Sequence, residues 1–353
     1  MTKKFDPNAA SASDSGIFGL PFTETESQLV LIPVSWEATT SYGGGTSQGP
    51  AAILEASRQV DLFDLDLPRA YEAGIFMRPE SRELRTLNRR ARQAAEKIIA
   101  VGGDIPRGNK KLLAAQKLVN EAGVRLNEFV YRETKQLLSQ DKIVGIVGGD
   151  HSVPFGALRA VAEQHQSFGI LHFDAHSDTR RAFEGFTWSH ASIMYNVLEK
   201  IPEVTKLVQI GIRDYCEEEF EYTRKQKDRV KIFLDRDLSR RKFEGTAWWD
   251  IGRDVLYALP EEVWISFDID GLDPQFCPHT GTPVPGGLSY SEASHILWML
   301  VHAGKKIIGF DLNEVAPNLK NRADEWDANV GARLLYKLSL LTLASRGFAN
   351  LQV

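Results

Sequence analysis

Apolar residues recur along this chain in two alternating periods. Short continuous runs, rich in β-branched and aromatic residues, fall at 29–34, 143–147, 169–173, 207–210, 230–233, 263–267 and 307–310. Continuous apolar runs of that length are what strands covered on both faces require. Helical or loop stretches separate them. Leu112, Val119, Leu126 and Val130 recur at helical spacing within 80–140, and Pro50 opens a further helix after a Gly/Ser/Thr loop at 36–49. The alternation predicts an α/β fold, a three-layer α/β/α domain over 28–353 with a mostly parallel central sheet. Residues 1–27, rich in Ser, Thr, Asp and Gly without period, read as an N-terminal extension, draped over the domain or a neighbouring subunit, or a tail without a role. The 80–140 stretch reads as scaffold, and its basic run 82–92 as a solvated helix face.

In an open parallel sheet, ligands gather beyond the carboxyl ends of the strands. Two carboxylate clusters fall there, HFDAHSD at 172–178 and SFDID at 266–270. On extended backbone Asp174, His176 and Asp178 would share one side, and Asp268 and Asp270 have the same spacing. Buried carboxylates at that density repel one another unless cations offset them. The Asp/His mixture suits Mn²⁺, Ni²⁺ or Zn²⁺, whereas an all-oxygen set would suit Ca²⁺ or Mg²⁺. His151, in GGDHS after the 143–147 strand, joins as a metal ligand. His190, twelve residues past Asp178, is placed to fold back as an acid/base group, and Glu314 in DLNEVAP follows the last strand with Asp311 as its competitor. The Gly/Pro/Thr loop 273–287 forms a rigid wall beside Asp268 and Asp270. His172 reads as a buried group behind the ligands; His165, His295 and His302 lack ligand-spaced partners and read as structural.

Composition narrows the function classes. A net charge of -5 with no basic stripe interleaved with aromatics argues against nucleic acid, and no apolar stretch reaches membrane-spanning length. Cys216 and Cys277 are too few for a disulfide framework, no secretory signal opens the chain, and the GGG at 43–45 lacks the GK[ST] of a phosphate loop. The expectation is a cytoplasmic protein acting on a small molecule.

Together the blocks GGDHS, HFDAHSD, SFDIDGLDP, GTPVPGGL and NEVAP resemble, in that order, the ureohydrolases, the family of arginase, agmatinase, guanidinobutyrase, guanidine hydrolase and formiminoglutamase. The resemblance implies two divalent ions, usually Mn²⁺ with Ni²⁺ as the alternative. His151, Asp174, Asp178 and Asp268 would hold one, and Asp174, His176, Asp268 and Asp270 the other. It further implies water attacking a guanidinium carbon with urea released, Asp178 orienting and deprotonating that water, Glu314 pairing with the cationic group, and His190 moving protons. The segment 179–189 lacks the arginase stretch that binds an α-carboxylate and is similar to the agmatinase-type pattern, so Arg180, Trp188, His279, Thr282 and Glu314 are the expected substrate contacts. Arg180 and Arg181 leave an acidic tail open as an alternative, and His279 stands where a small residue is usual. A homo-oligomer, trimer or hexamer, is implied as well. The non-enzyme alternative is a catalytically silent scaffold.

Overall fold

The computed structural model describes residues 5–352. Eight strands pair in parallel throughout, in the order β2-β1-β3-β8-β7-β4-β5-β6. They are β1 (Leu29–Val34), β2 (Ile75–Met77), β3 (Ile143–Gly148), β4 (Phe168–Phe173), β5 (Val204–Ile212), β6 (Val230–Leu234), β7 (Glu262–Asp268) and β8 (Lys306–Asn313). The three-layer expectation therefore holds, with one strand not foreseen. The edge strand β2 is three residues long, too short for a periodic signal, and exists because β1 offers it a ladder.

Neighbouring strand residues face opposite layers, which is why the runs are apolar throughout. Leu29, Leu31, Val147, Leu171, Phe173, Val263 and Ile265 pack under α1 (Gly49–Ser57), α8 (Trp248–Tyr257), α9 (Tyr290–His302) and α10 (Trp326–Ser345). Val30, Ile32, Val144, Ile146, Ile170 and Trp264 face α2 (Arg82–Ile99), α3 (Lys110–Leu138), α4 (Phe155–Ala162) and α5 (Ile193–Lys200). Each fully buried Leu, Ile or Phe contributes about 1.5–3 kcal/mol relative to exposure, so both layers are held firmly. Two further helices, α6 (Glu217–Lys225) and α7 (Asp235–Phe243), flank β6.

The N-terminal segment packs on its own domain. Ile17, Phe18 and Leu20 are buried in the first layer, and the Phe18 N–H donates to Ser57 Oγ of α1 at 3.0 Å. The chain runs outward from β1 to β2 on one side before crossing back to β3, and from β4 to β5 to β6 on the other. The reversal lies at the central strands β3, β8, β7 and β4. Ligand crevices form at such a reversal, because the loops leaving its strands splay apart.

Candidate metal centre

All the predicted metal-ligating residues follow those central strands. His151 Nδ1 lies 3.0 Å from Asp174 Oδ2, 3.2 Å from Asp268 Oδ2 and 3.3 Å from Asp178 Oδ2. Beside it, His176 Nδ1 lies 3.1 Å from Asp270 Oδ2 and 3.4 Å from Asp174 Oδ1. Asp174 thus turns one oxygen to each histidine. Two adjoining donor sets sharing a carboxylate are what a pair of cations requires.

The local geometry is not the extended run that period 2 predicts. The strand β4 ends at Phe173, and Asp178 sits at φ 55°, the left-handed region that side chains other than glycine rarely adopt. Asp270 follows β7 within a 3-10 turn, and its N–H donates to Asp268 Oδ1 at 2.9 Å. Glu314, directly after β8, is also left-handed at φ 63°. The side chains converge because loop backbones turn them inward, and that strain is tolerated where surrounding contacts over-determine it.

A hydrogen-bonded chain fixes His151. Its Nε2 meets Ser266 Oγ at 2.8 Å; Ser266 donates to Asp311 Oδ1 at 2.7 Å; Trp264 Nε1 donates to Asp311 Oδ2 at 2.5 Å. With Ser266 donating onward, its oxygen accepts the His151 Nε2 proton, so Nδ1, whose proton the carboxylates around it favour, is the atom that would yield its proton to a cation. Asp311 is completely buried in this network, so it braces His151 and is no rival to Glu314. His172 behaves similarly. Gln209 Nε2 donates to His172 Nδ1 at 2.9 Å and to the Ser177 carbonyl, leaving His172 Nε2 to donate to Asp174 Oδ2 at 2.8 Å. It orients the carboxylate from behind.

Charge in this cluster is far from its solution state. Burial, then the Asp174 charge, pushes the Asp178 carboxyl up to about 6. Burial, then Asp270 and Asp174, raises Asp268 well above the ordinary carboxylate range, and burial with Asp150 does the same to Glu314. Asp174 is held well below that range: burial opposes ionisation, but His172, His151 and His176 outweigh it. Such a set cannot ionise together unless cations supply the missing charge. Burial, then the His176 and His151 charges, lowers His190 to about 3, so its imidazole is neutral at ordinary pH.

A cavity of about 170 Å³ opens beside this centre, lined by His176, Asp178, Arg180, Phe183, His190 and Thr282 among others. The predicted substrate contacts divide around it. Thr282 faces it and donates to Asp270 Oδ2 at 3.4 Å. Arg180 faces it but is paired with buried Glu219 at 3.4 Å, its guanidinium 5.0 Å from the Phe183 ring. Arg181 points to solvent. Glu314 is not among the lining residues; it contacts the centre at His151, whose N–H donates to Oε1 at 2.9 Å, while Oε2 has no hydrogen-bond partner among the described residues. Trp188 does not line the cavity; it packs on Phe155, ring centroids 4.8 Å apart, and against Gly123. His279 also lies outside the lining, tied to Asp327 by Nδ1 at 2.8 Å. An indole and an imidazole met better partners in the neighbouring helices than in a polar cleft. His165, likewise, pairs with Glu262 at 2.7 Å across the sheet, a partner that no local spacing reveals.

The sequence reading missed the turn after β5. Arg213 donates to the carbonyls of Asp270 at 2.7 Å, Val284 at 2.9 Å, Gly211 at 3.0 Å and Leu272 at 3.1 Å, binding the segment that carries Asp270 to the loop that carries Thr282. Asp214, Tyr215 and Glu219 complete the cavity. The strand-end rule applied to β5 would have singled out the same turn.

A parallel sheet whose carboxyl end carries paired Asp/His clusters defines a metal-site hydrolase architecture. The comparisons make the class specific. A sequence model of the arginase family matches residues 27–340, and the chain belongs to that family, whose members are hydrolases of guanidino compounds. It is similar to N(1)-aminopropylagmatine ureohydrolase of Synechocystis sp., 30% identical over 318 residues covering 89% of this chain and 88% of that one. The enzyme of the same name from Thermus thermophilus is 33% identical over 294 residues, covering 83% and 84%. Proclavaminate amidino hydrolase from Streptomyces clavuligerus has the same fold, with a TM-score of 0.72 at 24% identity, covering 96% of this chain and 99% of that one.

Proposed function

We propose that this protein hydrolyses a small guanidine with a cationic tail, agmatine to putrescine and urea, using two manganese ions. The observation that carries the substrate class is the charge at the cavity. Arg180, the group that would greet an acidic tail, is already paired with Glu219, whereas the exposed Asp214 carboxylate makes no hydrogen bond or ion pair among the described residues. A distal ammonium is the complement of that arrangement.

The donor sets fit the ions: imidazole and carboxylate ligands, back to back, in a cluster too acidic to stand alone. His151, Asp174, Asp178 and Asp268 would hold one ion and Asp174, His176, Asp268 and Asp270 the other, with nickel as the alternative metal. When bound, such ions lower the pKa of water and offset the carboxylate charge. Asp178 orients the attacking water and takes its proton. Glu314 Oε2 is free to pair with the guanidinium. His190, neutral and close to Thr39 Oγ1 at 3.5 Å, carries protons to the leaving amine. The two free cysteines fit a reducing cytoplasm, and a homo-oligomer is part of this reading.

One observation favours a second substrate. The cavity, at about 170 Å³, is smaller than the about 300–1,000 Å³ typical of ligand pockets, which suits free guanidine. Urea release from agmatine, guanidine, 4-guanidinobutyrate and arginine by the manganese- and nickel-loaded enzyme tests both. Agmatine is expected to lead; guanidine leading would transfer the assignment, and guanidinobutyrate leading would overturn the cationic-tail reading.

A further inference from the structure

The helical stretch 80–140 does more than cover the sheet. The helices α2 and α3 form a hairpin whose inner edge touches both loops that wall the cavity. One wall is the 36–48 loop. Asn88 Oδ1 accepts the Glu37 N–H at 2.9 Å, and Arg92 donates to the Thr40 carbonyl and, at 3.0 Å, to Thr40 Oγ1. Its neighbours Thr39 and Ser41 face His190 and the cavity. The other wall is the 179–190 loop, which reverses at Phe183–Phe186 through paired backbone bonds of 3.2 and 2.8 Å, with Glu184 at φ 52° and Gly185 at φ 79°. That is a tight two-residue turn, and it puts two aromatic rings in different places. Phe183 lines the cavity and stands edge-on to His190 at 6.0 Å, while Phe186 is completely buried in a separate apolar cluster made by Ala94, Ala95 and Ile98 of α2 with Ala115 and Val119 of α3. Asn120 brackets the turn, donating to the Gly185 carbonyl at 3.2 Å and accepting the Thr187 N–H at 2.9 Å.

We propose that the α2–α3 hairpin is the specificity-determining frame of this site: by gripping Thr40 through Arg92 and the Phe183–Phe186 turn through Phe186 and Asn120, it fixes the separation of the two cavity walls. Arg92 and Phe186 are positioning residues, since neither lines the cavity. The inference rests on the guanidine-hydrolase reading for its substrate arm alone. The hairpin's bonds go to Glu37, Thr40, Gly185 and Thr187, none of them in the ligand set, so loosening it should move the walls before it moves the metals. The alanines opposite Phe186 make its seat deep enough that the turn cannot slide without exposing the ring.

Arg92→Met, Asn120→Ala, Phe186→Leu and Phe186→Ala test the proposal, each loaded with manganese and compared with Arg253→Met, which breaks an exposed ion pair within α8 on the opposite layer. Hydrogen exchange is read in 36–48 and 179–190, together with bound metal and the KM and kcat for agmatine and guanidine. The frame predicts faster exchange in the contacted loop, full metal content, a KM for agmatine raised by about tenfold or more with a smaller fall in kcat, since His190 rides on the same loop, and a changed agmatine-to-guanidine ratio. Phe186→Leu should recover most of what Phe186→Ala loses. Unchanged exchange and an unchanged substrate ratio in Arg92→Met and Asn120→Ala would overturn the proposal, as would equal kcat losses on every substrate accompanied by metal loss. Should Phe186→Ala fail to fold, the two polar variants still decide. If the wild type hydrolyses none of the guanidines, the substrate reading falls, and the exchange data alone still judge the frame.

Discussion

His151, Asp174, Asp268 and Glu314 leave the ends of four adjacent central strands, whereas Ser41, Phe183 and His190 sit on loops tied to helices. The first group inherits the stiffness of a sheet buried on both faces. Two of its members are braced from behind, His151 through Ser266 and Asp311, Asp174 through His172 and Gln209. The second group rests on a few loop-to-helix hydrogen bonds, from Asn88, Arg92 and Asn120, and on one seated ring. Metal-ligand geometry is thus built on the sheet, and the groups that meet the substrate and move its protons are built on adjustable loops, a division that lets substrate preference vary without rebuilding the metal site.

The largest break in this comparison should come from the strand-end group. Asp174→Ala removes the carboxylate facing both histidines, and elemental analysis should find metal lost from the centre, with urea release falling by several orders of magnitude. Retention of both ions with full activity would remove Asp174 from the ligand set. On the loop side, His190→Ala should lower kcat by about 10²–10⁴-fold with metal retained, and added imidazole should restore part of it. If metal leaves with His190, the separation between the groups is wrong. Ser266→Ala touches no ion yet frees His151 to turn; metal affinity should fall by about 10–100-fold in a chelator competition, with little change in agmatine KM at saturating metal.

A pH titration sharpens the same contrast. Asp178 titrates at about 6 without cations, so below that pH a proton competes for its oxygen and metal affinity should fall about tenfold per pH unit for that proton. The sign follows from the raised pKa: the acid form is favoured by burial, and binding must expel the proton. Affinity that is flat between pH 5 and 7, in round numbers, would mean that Asp178 is not a ligand. The smallest expected effect is at Arg180. With its charge already engaged by Glu219, Arg180→Ala should change kcat/KM for agmatine by no more than about fivefold, within the worth of a partly exposed ion pair. A selective loss on guanidinobutyrate would make Arg180 an acid-tail receptor after all.

Much of this protein was legible along its chain. Strands buried on both faces must be apolar at every position, so seven of the eight announced themselves, and the strand-end rule then placed His151, the Asp clusters and Glu314 at one end of the sheet. Residue chemistry argued for cations before any coordinates did, because carboxylates at that density are unstable alone. What the chain could not reveal was set by contacts between distant segments. Asp311 and Glu314, three residues apart, were equivalent candidates until Trp264 and Ser266 claimed Asp311. Trp188 and His279 carried the right chemistry for a substrate contact but were taken up by Phe155 and Asp327. Arg92, one of many arginines on a basic helix, acquired its role only because Thr40 arrives beside it. Sequence periodicity and residue type determined the architecture and the kind of reaction centre; which polar groups face substrate and which brace the frame was decided by tertiary packing, since a buried hydrogen-bonding group must find a partner and the partner is named only when the chain has folded.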